Sequence, residues 1–142
     1  MANNRIIEEA IKFVSEGTEV TFPVNGVSML PFIVGGRDSV VLVKPETPQV
    51  GDIVLAWVDE SHYVIHRIIS IAGDEVTLMG DGNLGGHEFC HIADIAARAD
   101  YAVGADGRRR YLYSPAQKVF SRLWRWLLPV RRYLLAIYRR IR

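Results

Sequence analysis

A mainly β fold, a barrel or bent sheet with a helix at each end, is predicted by three observations. Between Thr18 and about Tyr113 the chain is a succession of short β-rich segments broken by Gly, Pro and Asp. Before it, Ile6, Ile7, Ala10, Ile11 and Val14 recur at helical spacing. After it, apolar residues recur at heptad intervals among arginines.

The first helix is capped by Asn3 or Asn4 and stopped by Gly17, and its apolar stripe packs on the body. Strands follow at Val20–Val24, Ser39–Val43, Asp52–Val58, Tyr63–Ile71 and Glu75–Met79. Such short strands with frequent turn signals suit a compact antiparallel sheet or partly closed barrel. Arg108–Tyr113 closes this body. Ser114 then caps a second helix, with Pro115 at its first position. Phe120, Leu127, Leu134 and Ile141 share one heptad position, and Leu123, Val130 and Ile137 another. Pro129 breaks or kinks this helix, because its ring conflicts with the carbonyl of Arg125. The organisation predicted is a body over residues 1–113 and a basic amphipathic tail over 114–142.

With 142 residues, the chain is long enough for one domain that buries roughly two thirds of its unfolded surface. A single cysteine, Cys90, excludes an internal disulfide. It reads as a small buried residue, because no motif surrounds it. The net charge of +1 conceals an asymmetry. Residues 1–107 carry six Lys/Arg and all sixteen Asp/Glu, and residues 108–142 carry eleven Lys/Arg and no acid. A basic tail on an acidic body points to an anionic partner. The eight Lys/Arg from Lys118 onward stand among Trp124, Trp126, Tyr133 and Tyr138. That mixture favours peripheral contact with an anionic membrane over nucleic acid. The same stripe would also serve a helix folded back on its own body, or on the acidic body of a neighbouring molecule. The start, Met1-Ala2-Asn3-Asn4, is polar, so no secretory signal peptide is expected. No stretch of 18 apolar residues predicts a membrane span. A cytoplasmic protein at the membrane periphery is therefore expected.

Chemistry concentrates in two segments, Gly26-Val27-Ser28-Met29-Leu30-Pro31 and Val64-Ile65-His66-Arg67-Ile68-Ile69. A serine in a turn closed by proline can hold its hydroxyl outward. A histidine in an apolar strand can be held rigidly enough to take the proton. Taken singly, Ser28 reads as a turn brace and His66 as a satisfied core histidine. The order of the motifs reverses both readings. Gly51-Asp52-Ile53-Val54 lies between the two segments, and Gly80-Asp81-Gly82-Asn83 follows them.

This succession resembles the type I signal peptidase superfamily, which includes the LexA-like self-cleaving proteases, over about residues 20–85. The resemblance implies a signal-peptidase-like β-barrel or bent sheet. It also implies a serine endopeptidase that acts on a peptide or protein substrate without a cofactor. Where that superfamily usually has a lysine base, this chain has His66, as in the Ser-His branch. A histidine, with an ordinary pKa of about 6.5, is largely neutral at pH 7 and needs less burial than a lysine to act as a base. It benefits from a third group that fixes its tautomer. Asp81, in the segment matching the family's acidic box, is the residue expected to orient His66. The branch often has a further Asp six residues after that box. Here the position is His87, and Glu88 beside it is the substitute. Some bacterial members have an oxyanion serine two residues before the nucleophile, where this chain has Gly26. The oxyanion would rely on the Ser28 N–H, with Asn25 a helper, and Met29 would line the cleft or pack beneath the serine. Gly26 also keeps open a second reading, a binding or scaffold protein on the same fold at the membrane surface. Asp52 reads as a structural turn residue. His62, His87 and His91 do not form a metal set, and Gly80–Asn83 lacks the alternating acids of a calcium loop. A LexA-type repressor is not expected, because no DNA-reading domain precedes the body.

Overall fold

The computed structural model describes residues 4–24, 29, 32–82, 86–127 and 133–137, apart from the side chain of Arg125. The fold is mainly β, a single curled antiparallel sheet with helices toward both ends of the chain. Helix α1 spans Asn4–Ser15. Of the predicted stripe it buries Ile7, Ala10 and Val14 and half-buries Ile11, while Ile6 is exposed, as is Phe13. Gly17 ends it at φ 91°, a left-handed conformation open to glycine, with the Gly17 and Thr18 N–H groups returning to the carbonyls of Val14 and Phe13.

Five strands fall where the β-rich segments predict them: β1 (Val20–Pro23), β2 (Ser39–Val43), β3 (Ile53–Val58), β4 (His62–Ala72) and β5 (Glu75–Met79). Three more complete the sheet, β6 (Glu88–His91), β7 (Ile95–Val103) and β8 (Arg109–Tyr111). The order is β1-β2-β7-β3-β4-β5-β6, and β8 pairs the C-terminal end of β7. Thus β7 crosses the centre, between β2 and β3.

Alternation along the strands builds two cores. Ile53 and Leu55 of β3 join Val40, Leu42, Ala97, Ala99 and the buried face of α1. Val54, Ala56 and Val58 join Ile68, Val76, Leu78, Cys90 and Ile95 on the opposite face. Asp100 has no partner across from β2, where Val41 pairs Tyr101 and Leu42 pairs Ala99. This bulge reverses the inward phase of β7, so that Ala97, Ala99 and Ala102 are all buried.

Helix α2 spans Pro115–Trp126. Ser114 caps it as the sequence predicts, its Oγ accepting the Gln117 N–H at 3.3 Å. Trp124, and Leu135 in a further helical segment at 133–137, belong to the same buried cluster as α1 and the sheet. The boundary placed at 113/114 therefore separates sheet from helix, while the core runs across it. The kink expected at Pro129 lies outside the described residues. Among the described residues, no helix is long and apolar enough to cross a membrane.

Candidate active site

Cross-strand register places His66. Arg67 pairs Met79, Ile68 pairs Leu78, and Leu78 pairs Glu88. Directly opposed side chains share a face, and alternate residues along a strand return to it. His66, Ile68, Leu78 and Glu88 thus share one face of the sheet, and Arg67 lies on the other with Met79. His66 Nδ1 meets Glu88 Oε1 at 2.5 Å, with the side chains 8% and 16% exposed. This is the arrangement in which a carboxylate fixes a histidine's tautomer, leads Nε2 to act as the base and stabilises the imidazolium.

Asp81 is engaged elsewhere, which corrects the expectation that it orients His66. Its two carboxylate oxygens accept from Arg67 Nε and NH2, each at 2.8 Å, and both side chains are 3% exposed. The physical reason is register: Asp81 continues from Met79, whose face belongs to Arg67. Glu88, the substitute in the sequence, takes the position at the imidazole. Burial works against the Arg67 charge, but the Asp81 carboxylate outweighs it and raises the guanidinium pKa above its ordinary value. The Arg67 NH1 also donates to the Gly51 carbonyl at 2.9 Å.

The remaining groups of Asp81 are also engaged. Its N–H donates to Met29 Sδ at 3.4 Å. Its carbonyl accepts from Trp124 Nε1 at 2.6 Å. One residue therefore links β4, the loop that carries Met29, and α2. Met29 is 2% exposed, so it packs beneath this region. Its own carbonyl accepts the N–H groups of Phe32 and Ile33, both at 3.0 Å. Phe32 stacks under Arg67, with the guanidinium 5.0 Å from the ring centroid, and meets Phe120 of α2 edge-on at 5.2 Å. Phe32, Ala116, Gln117 and Phe120 line a hollow of about 330 Å³.

Ser28, Gly26 and Asn25 lie outside the described residues. Asp52 has the structural role its motif suggests: its Oδ2 accepts the Gln49 N–H at 3.0 Å and braces the turn into β3. Cys90 is buried, and burial followed by nearby carboxylates pushes its thiol up to about 11. His91 faces Asp74 at 3.2 Å, and His62 faces Ser61. Among the described residues, no group of three or more metal-ligating side chains comes together.

Sequence reasoning missed Arg67 as the partner of Asp81, and Trp124 and Phe32 as parts of the surrounding shell. Two signals point to Arg67 and Glu88, its place directly after His66 in a strand and the parity of Glu88 across a hairpin. Trp124 carried no such signal, because its indole reaches a carbonyl 43 positions away. No family model matches the chain, and no curated protein matches it.

Proposed function

We propose that the protein is a serine endopeptidase of signal-peptidase-like type, using Ser28, His66 and Glu88 on a peptide or protein substrate. One observation carries the proposal: a buried histidine in an interior strand whose Nδ1 is held by a carboxylate. The motif order supports it, and so does the anchoring of Met29, the chain neighbour of Ser28, to Asp81 beside the same strand.

In the proposed reaction Ser28 Oγ bonds to the scissile carbonyl carbon, and its proton passes to His66 Nε2. The tetrahedral intermediate collapses, the C–N bond breaks, and the departing amine takes the proton from His66. Water then attacks the acyl-serine and gives its proton to His66. That proton returns to Ser28 as the carboxylic acid leaves. Glu88 holds the imidazole and balances its charge throughout. Asp81 acts as a positioning residue: it fixes Arg67 and Met29, the chain neighbours of the base and of the nucleophile.

Labelling by a fluorophosphonate serine probe tests this reading. The expected result is one labelled site, lost in Ser28→Ala and strongly reduced in His66→Ala. Equal labelling of the Ser28→Ala chain would overturn it. A chain that folds but never labels or cleaves a peptide library would favour the scaffold reading that Gly26 suggests.

A further inference from the structure

From the outward face of α2 we infer that this helix is a membrane-surface element that binds anionic lipid. The inference is independent of the peptidase reading. It rests on a division of the helix into three faces. Ser121 and Trp124 are buried against the body, 6% exposed each. At about 100° per residue, Val119, Leu123 and Trp126 fall within an arc of about 60°, well away from that buried face. These three are 65%, 49% and 78% exposed, while Phe120, 49% exposed, lies between the arc and the body, where it meets Phe32. Lys118 and Arg122 occupy the flank between the arc and the body, and both are exposed. Docking on the body therefore uses one face of α2 and leaves the larger apolar face outward.

The chemistry selects a bilayer as the occupant. Pro115–Trp126 carries three Lys/Arg and no acid, and no acid occurs after Asp106. An apolar arc with an aromatic residue and a cationic flank matches the boundary between acyl chains and anionic headgroups. Lys118 and Arg122 also line a recess of about 150 Å³ beside the helix with Arg98, Tyr113 and Asp52. A second copy fits less well. Pairing two such arcs brings two sets of Lys118 and Arg122 together, and like-charge juxtaposition opposes association. In the 133–137 segment Tyr133 and Ile137 are exposed as well, while Leu135 is buried. That repeats the pattern of one side docked and the other outward.

Co-sedimentation of the full chain with vesicles tests the inference, using phosphatidylglycerol–phosphatidylcholine against phosphatidylcholine alone. Binding to the anionic vesicles should be at least about tenfold stronger and should weaken as salt is raised. Removing both cations, Lys118→Gln with Arg122→Gln, should cost about fivefold each. Leu123→Ser with Trp126→Ser should cost at least about tenfold. In the unsubstituted chain, bromine-labelled anionic lipids should quench tryptophan fluorescence. That measurement stands even if a variant fails to fold. No sedimentation with anionic vesicles at low salt, no quenching, or full binding by either folded variant would overturn the inference. So would a dimer that Trp126→Ser dissociates in a chain that ignores vesicles, which would identify the face as an interface between copies.

Discussion

His66 and Arg67 are neighbours in one strand, each has a carboxylate partner, and the two pairs differ in what they can do. The Arg67–Asp81 pair is bidentate and closed from solvent. Its guanidinium keeps its charge, because it does not give up its proton. The His66–Glu88 pair is a single contact at the rim of the opposite core, and Glu88 keeps partial access to solvent. An imidazole nitrogen can accept and return a proton, whereas a guanidinium has no lone pair to offer. In the proposed reaction, alternation along a single strand therefore separates a place for proton transfer from a place for support.

Substitutions can break this contrast or sharpen it. The largest effect should come from His66→Ala. If the His66 face performs the chemistry, kcat/KM on a cleavable peptide should fall about 10²–10⁴-fold, with little change in melting temperature. Unchanged turnover would end the division of labour. Asp81→Ala should act in the opposite sense. It leaves the Arg67 charge buried without its partner, which costs about 3–5 kcal/mol, read as a shift in the denaturation midpoint. A small loss of stability with a large loss of activity would instead place Asp81 with the chemistry.

Glu88→Gln should lower kcat by about tenfold to 150-fold, the worth of a hydrogen bond to a charged group, and leave stability nearly unchanged. The smallest effect concerns Cys90, which shares the His66 core. With its thiol pushed up to about 11, alkylation at pH 8 should be about tenfold to twentyfold slower than for an ordinary thiol. The sign for stability follows from the same shift. The unfolded thiol loses its proton first, so Cys90 opposes unfolding below the ordinary thiol value. That contribution fades as pH rises toward 11. A Cys90→Ala chain should show a shallower decline in alkaline denaturation. Fast alkylation of the folded chain would mean that the His66 face is open well beyond Glu88.

Sequence alternation and propensity reach only part of this architecture. Ser39–Val43 and Glu75–Met79 were readable to the residue, because β-branched and apolar residues fill them between turn signals. The central strand β7 was not. Ile95–Val103 is rich in alanine and carries Arg98 and Asp100, which depress strand propensity. Alanine is nevertheless suited to a strand covered by neighbours at close range, and the bulge at Asp100 hides the alternation that would have revealed it. Short β6 exposes Phe89 and ends in His91, so it lacks an apolar signature. The candidate site shows the same limit. Ser28 and His66 are legible as residue types in motifs. The choice between Asp81 and Glu88 is a matter of register, which motif spacing does not encode.

Asp81 has a consequence for how the sheet is completed. Its carbonyl is capped by an indole that is synthesised 43 residues later. Arg67, Met29 and Trp124 hold Asp81 from three separate parts of the chain, and only the last belongs to α2. The last contact of this region is thus supplied by the helix whose opposite side faces outward. The indole thereby makes that corner of the sheet complete only when α2 is docked.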